Sequence, residues 1–426
     1  MKPVKAMLIG AGNRGREAYA PYALRSPQNL RITAVAEPDF NRRTEFQKAF
    51  QLDDDSCFDS WESLLSQKHD VDAVIISTQD RMHVEPAIKS LEFGYHVLLE
   101  KPISPDKEEC LRLNDAEKKS AGTVTVCHVL RYADFFSTLK RLLNENTIGS
   151  LMSIQHNENI GHIHFAHSFV RGSWKDSKES APIILAKSCH DMDLLLWLAD
   201  SDCRRVSSFG NRSWFRRENK PEGSPERCLE GCQYERSCPY NAAELYLTEK
   251  TDWPVSTIAT DLSMNGRIKA LKEGPYGLCV YNSLNNVLDH QVVNLEFENS
   301  VTASFTLSAF TAETSRTIKL MGSKGEIRGH MEKNEIEIRD FETRETTIIS
   351  LPRTDGPDGH GNGDLRLMED WVSRLKKHKK SGLSDSSETS LAASLQSHLM
   401  AFAAEESRLK GVVIDMTGND QLPQHE

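Results

Sequence analysis

Two short runs bring together residue types that could do chemistry. Glu100-Lys101-Pro102 can place an ammonium beside a reacting group, where it polarises a carbonyl or relays a proton. Gly10-Ala11-Gly12-Asn13-Arg14-Gly15 has the Gly-x-Gly-x-x-Gly spacing that cradles a pyrophosphate. Its first two glycines permit a tight bend and close approach of the anion, and the third lets a helix pack on its strand. A turn that holds a dinucleotide and a lysine beside its reactive ring describe a nicotinamide-dependent oxidoreductase. Glu37 closes the next apolar segment, where a carboxylate binds the ribose hydroxyls of NAD and repels a 2′-phosphate. Arg42 and Arg43 follow it and could pair with such a phosphate, so NADP stays open as the alternative.

A second set lies in Ala186-Lys187-Ser188-Cys189-His190-Asp191-Met192-Asp193, which leads into an apolar run. Residues three or four apart share a helical face, so Lys187 with His190, and His190 with Asp193, are expected to point together. An imidazole suits acid–base work near neutral pH. Residues 159–174 carry His162, His164, His167, Arg171 and Trp174 in one loop-like stretch. Forked donors, imidazoles and a flat ring suit a polyhydroxylated or acidic ligand. His164, His167, Arg171 and Trp174 are therefore candidate substrate contacts, with Arg131 beside Tyr132; His360 is a further candidate. Zinc on His162, His164 and His167 has no other support at that spacing. Cys228-x3-Cys232-x5-Cys238 lies in a polar insertion near 216–245, and Cys279 is the expected fourth ligand. Structural zinc on four thiolates is the first reading, an iron–sulfur cluster its rival, and free thiols or a disulfide the third.

These residues need elements to position them. Strand patterns at 6–9, 32–36, 71–77, 96–99 and 124–127, with a short one near 57–58, alternate with helical stretches at 85–93 and 106–119. That alternation predicts a parallel, doubly wound sheet. After a helix at 135–143 the pattern changes to strands at 152–155, 206–209, 292–297, 301–307, 317–321 and 335–338, then helices at 365–376 and 390–409. The fold class is α/β, with a Rossmann domain over 1–125. A C-terminal α+β domain over 126–426 is built on a large, mostly antiparallel open sheet. The glycine-rich stretch 352–363 is either a surface loop or a loop over the active site.

The chain of 426 residues is long for one ordinary domain. A formal net charge of −10 argues against a general nucleic-acid binder and against an anionic membrane surface. No apolar run reaches the ~18 residues of a membrane span, and the start lacks a leader-like apolar region. A cytoplasmic location is expected, with the nine cysteines mostly reduced.

The glycine turn, Glu100-Lys101-Pro102, the His190 segment and the C-terminal sheet together resemble the Gfo/Idh/MocA family, relatives of glucose–fructose oxidoreductase and inositol dehydrogenase. The resemblance covers nearly the whole chain. It implies NAD(P), a sugar or cyclitol substrate, and an open sheet packed against another subunit in a homodimer or homotetramer. It places Lys101 near the nicotinamide, with a Lys-Pro bond that is often cis, and makes His190 the catalytic histidine. It sets Thr78, Gln79, His83 and Glu100 along the cofactor, with Gly10, Gly12, Asn13, Arg14 and Gly15. Many dehydrogenases of the family carry Asp four residues before this histidine; here Ala186 stands there, and Lys187 is expected to assist instead. Three functions fit: a sugar or cyclitol dehydrogenase, a glycosidase of the same fold that oxidises its substrate transiently with tightly bound NAD, and a non-catalytic NAD-binding regulator.

Overall fold

The computed structural model describes residues 2–352, 360–381 and 387–417, so most of the 352–363 loop lies outside the described residues. Six short strands form the first sheet: β1 (Val4–Ile9), β2 (Leu30–Ala36), β3 (Cys57–Phe58), β4 (Ala73–Ile76), β5 (His96–Leu99) and β6 (Val124–Val126). Their order is β3-β2-β1-β4-β5-β6 and every pairing is parallel. This is a doubly wound sheet whose order reverses at β1, the place where such folds bind nucleotides.

Both faces of this sheet are buried, which explains its continuous apolar strands. Val4, Ala6 and Leu8 face one core and Met7 and Ile9 the other, as a strand's two-residue period requires. The helices that cover these faces come partly from the far end of the chain. Leu367, Met368, Trp371 and Val372 of the Gly363–Ser381 helix pack into the first core. Leu391, Leu395 and Leu399 of the Leu391–Lys410 helix pack into the second. Met400, Ala401, Ala403 and Ala404 of that helix belong to the core of the other lobe, so one helix ties the two together.

The second sheet has nine strands: β7 (Leu151–Asn159), β8 (Cys203–Asn211), β9 (His290–Phe297), β10 (Thr302–Ser308), β11 (Ser315–Gly322), β12 (Gly325–His330), β13 (Glu335–Asp340), β14 (Thr346–Ser350) and β15 (Ile414–Asp415). Their order is β14-β13-β12-β11-β7-β10-β9-β8-β15. Every pairing is antiparallel except β7 with β10, so the sheet is mixed at its centre. Between β8 and β9 the chain leaves the sheet for residues 212–289, a longer excursion than the 216–245 insertion expected. It holds its own small core of Ala242, Tyr246, Ile258 and Leu271. Among the described residues no helix is long and apolar enough to cross a membrane.

Candidate active site

The glycine turn leaves β1 with each glycine in a distinct role. Gly10 has φ +89°, and a Cβ there would stand 2.7 Å from the Ser77 carbonyl oxygen. A Cβ on Gly15 would meet the Gly10 oxygen at 2.2 Å, so this position closes the packing of helix on strand. Gly12 has nothing within 4 Å of its would-be Cβ, so the open side of the turn is there. Residues Arg14–Tyr19 then form wide helical turns that run into Pro21–Arg25. Glu37, at the end of β2, is buried and accepts from Ala11 N at 2.7 Å and Asp39 N at 3.0 Å. Arg43 is turned back onto the Glu37 and Pro38 carbonyls, and Arg42 is exposed. This cradle fits a dinucleotide: one open glycine and a fixed carboxylate at the end of the neighbouring strand.

Glu100 joins the two motifs read first in the sequence. Its Oε1 accepts from Arg14 Nε at 2.6 Å and from Tyr19 Oη at 2.7 Å, and its Oε2 accepts from Lys101 N. Arg14 also grips Asp364, in the first turn of the Gly363–Ser381 helix, and Asp364 holds His360 Nδ1 at 3.0 Å. Burial alone would raise the Glu100 pKa, but Arg14 and Lys101 bring it below the ordinary value. Glu100 and Arg14 thus lock the turn to the lysine strand. The Lys101-Pro102 bond is cis. His83 is fully buried, with Nδ1 2.6 Å from the Pro102 oxygen and Nε2 3.2 Å from the Thr78 oxygen, so it clamps this corner from behind. Thr78 Oγ1 donates to the Met82 oxygen, and Gln79 is exposed.

Lys101 Nζ reaches across the lobes and donates to the Ala186 carbonyl oxygen at 3.1 Å. The position that lacks the acid therefore still contacts the lysine, through its backbone. His190 lies in the first turn of the Cys189–Ala199 helix, buried, with no hydrogen-bond partner on Nδ1. Burial, then Lys101, His128 and His360, push its pKa well below the ordinary value. The rings of His128 and His360 lie 5.6 and 6.0 Å from that of His190. Asp80, after β4, has a buried, unpartnered Oδ2, and burial raises its pKa.

Lys187 does not share a helical face with His190. A short helix ends at Ala186 and a new one starts at Cys189, with Lys187 and Ser188 in the turn between them. Lys187 Nζ instead pairs with Glu158 Oε1 at 3.1 Å. Glu158 Oε2 lies 2.7 Å from Arg316 Nη2, Arg316 Nε donates to Asp191 Oδ1 at 2.9 Å, and His156 Nε2 lies 2.7 Å from the same oxygen. This buried network was not read from the sequence. Its signal was a charge on the apolar phase of a strand: Glu158 alternates with His156 and Ile154, and Arg316 with Ile318 and Leu320. His164 lies near it; burial, then Lys187, take its pKa down to about 3.

Several candidates are engaged elsewhere. Arg131 makes a two-pronged bond to Asp193, Nε and Nη2 each at 2.7 Å, and is buried, so neither Arg131 nor Asp193 is free for substrate or for His190. Arg171 is buried and donates to the Leu278 and Tyr240 oxygens, both at 2.8 Å, which pins the 212–289 excursion. His167 lies between Tyr246 Oη and Thr257 Oγ1, both at 3.0 Å. Trp174 is exposed over 39% of its surface. The three histidines do not converge on one point: His162 faces Thr311, while His164 and His167 both pack edge-on against the Trp253 ring and His167 is held by Tyr246. Among the described residues no group of three or more His, Cys, Asp or Glu is placed to hold a metal ion, so the expected zinc finds no support here or at the cysteines.

Residues 4–128 match the model of an oxidoreductase family, the NAD-binding Rossmann fold of Gfo/Idh/MocA proteins, and residues 140–408 match the C-terminal α/β domain of the same family. The putative oxidoreductase YteT of Bacillus subtilis is 26% identical over 70% of this chain and 71% of its own length. The 2,7-anhydro-N-acetylneuraminate hydratase of Escherichia coli is 28% identical over 48% of this chain and 51% of that protein, so the match spans about half of that relative. Inositol 2-dehydrogenase 4 of Saccharopolyspora erythraea is 27% identical over 52% of this chain and 61% of that protein. Levoglucosan dehydrogenase in complex with NADH and L-sorbose superposes with a TM-score of 0.70 at 19% identity, covering 97% of this chain and 99% of that one. With a Rossmann sheet, a glycine cradle and family matches over both lobes, the chain belongs to the Gfo/Idh/MocA family of NAD-binding oxidoreductases.

Proposed function

We propose that this protein is an NAD-dependent dehydrogenase acting on a secondary hydroxyl of a sugar, sugar derivative or cyclitol. One observation carries the reading: His190 keeps a buried, unpartnered Nδ1 on the segment to which Lys101 is anchored from the other lobe. Relatives named as inositol and levoglucosan dehydrogenases support the substrate class. A bound nicotinamide supplies hydride transfer. The chain's own residues orient the substrate and move its proton. Lys101 donates to the reacting oxygen, and His190, held neutral by burial and cationic neighbours, accepts the hydroxyl proton as the carbonyl forms. Lys187, Glu158 and Arg316 present a buried ion-pair network that recognises further hydroxyls through oriented charges. Glu37 favours NAD, because Arg43 is occupied by backbone oxygens.

The test follows absorbance of the reduced nicotinamide against a panel of sugars, sugar acids and inositols, for the wild type and Lys101→Met. The variant should lose about 10²–10⁴ in kcat, the range for a positioned proton donor. Unchanged turnover would refute the role. A second reading, transient oxidation with no net use of NAD, is favoured by the relative named as a hydratase, since adding or removing water leaves the overall oxidation state unchanged. Under it the same panel, extended to glycosides, gives product with no net absorbance change.

A further inference from the structure

Four thiols from two distant segments share one cavity. Cys228, Cys232, Cys238 and Cys279 line an enclosure of about 180 Å³ in the 212–289 excursion, and all four are free and half-buried. The chain brings them together through backbone pairing: Cys228 N donates to the Gly277 oxygen and Cys279 N to the Glu226 oxygen, at 2.9 and 2.8 Å. A single zinc ion, with Zn–S of about 2.3 Å, needs sulfurs roughly 3.8 Å apart around one point. That convergence is absent among the described residues. The four residues line a void instead, and the void has room for more than a single ion, since one water needs only about 10–15 Å³ of such space.

The walls add a second observation. Arg171 reaches the cavity with Nη2 3.4 Å from Cys228 Sγ, and its Nη1 is buried with no hydrogen-bond partner. A buried guanidinium with an unused donor calls for an anion. Tyr240 and Tyr281 also line the cavity.

We propose that this cavity binds an iron–sulfur cluster through the thiolates of Cys228, Cys232, Cys238 and Cys279, with Arg171 opposing the cluster's negative charge. Four cysteines are the ordinary complement for such clusters, whose thiolates are spread around an extended body rather than gathered on one ion. The cluster would weld the 226–238 and 277–279 segments to the helical turns Ala166–Arg171, which begin directly after the His162–Phe165 turn carrying His164. Cluster binding stabilises the fold that holds it, by linkage.

The test is anaerobic purification of the full chain and reconstitution with ferric iron, a thiol reductant and sulfide. The product is assayed for iron, zinc and acid-labile sulfide per chain and for visible absorbance. Iron and sulfide in equal numbers, two or four of each, with a broad visible band are expected. Cys232→Ser should lose the band and the sulfide while keeping NADH binding and the wild-type circular dichroism. A folded, NADH-binding protein that takes up neither iron nor sulfide overturns the proposal, and so does one zinc per chain with no sulfide. Neither result bears on the dehydrogenase reading, whose assay is separate.

Discussion

Glu100→Gln tests whether one carboxylate holds the glycine turn to the lysine strand. Both oxygens of Glu100 accept: Oε1 from Arg14 Nε and Tyr19 Oη, Oε2 from Lys101 N. Glutamine keeps the shape but replaces one acceptor with an NH2 group. In either amide orientation a donor then faces a donor, and the Arg14 charge loses one of its two carboxylate partners. Breaking a buried pair by removing one partner costs about 3–5 kcal/mol. Arg14 keeps Asp364 and its side chain is 27% exposed, so the lower end applies, about 3 kcal/mol. For a lobe of this size that is a fall of roughly 6–12 °C in the first thermal transition. NADH affinity should fall with it, because the turn that receives the pyrophosphate is the element released. The pH dependence gives an independent check. The folded Glu100 pKa lies below its ordinary value of 4.5, so its stabilisation is fully present above pH 4.5. It is lost as pH falls through the lower folded value, and the gap between wild type and variant should narrow there. Differential scanning fluorimetry across pH 3–8, with and without NADH, reads all of this. A variant within 1 °C of wild type and a pH-independent gap would refute the argument.

Gly15→Ala should abolish NADH binding measured by fluorescence titration, since its Cβ would meet the Gly10 oxygen at 2.2 Å; retained affinity would show that the turn yields. Glu37→Ser should raise use of NADP relative to NAD, read as the ratio of kcat/KM values, by removing the carboxylate that repels a 2′-phosphate. Arg131→Met should lower stability by about 3 kcal/mol through the stranded Asp193 charge, with little change in KM; a KM effect without a stability loss would return it to substrate binding. Burial brings His128 and His167 down to about 4, and His164 and His398 to about 3. Each is neutral when folded and takes a proton when unfolded below pH 6.5, so stability should drop steadily from pH 6.5 towards 4 in denaturant titrations.

Much of the framework was legible along the chain. β3 and β5 match their expected spans residue for residue; β4 and β6 are shorter than the expected 71–77 and 124–127, whereas β7 and β8 run to nine residues where 152–155 and 206–209 were expected. β12, β14 and β15 carry no clear strand pattern in the sequence. Gly325–His330 has a single isoleucine, and Thr346–Ser350 lies at the sheet edge, so neither shows a clear alternation. Their hydrogen-bonding neighbours make them strands.

The sequence by itself determined the dinucleotide cradle, the Lys101 position, the His190 helix and the family, because each rests on residues a few places apart. Glycine spacing and apolar periodicity encode neighbours within one turn or one strand. Only the tertiary structure decided what those residues touch. Glu100 meets Arg14 across 86 positions, Lys101 meets Ala186 across 85, and Arg316 meets Asp191 across 125. Arg131, Arg171 and His167 are chemically suited to bind a substrate, yet packing turns each inward to satisfy buried groups of the protein. A side chain's chemistry is local, but which partner meets its charge or hydrogen-bonding need is set by the burial of segments far apart in the chain.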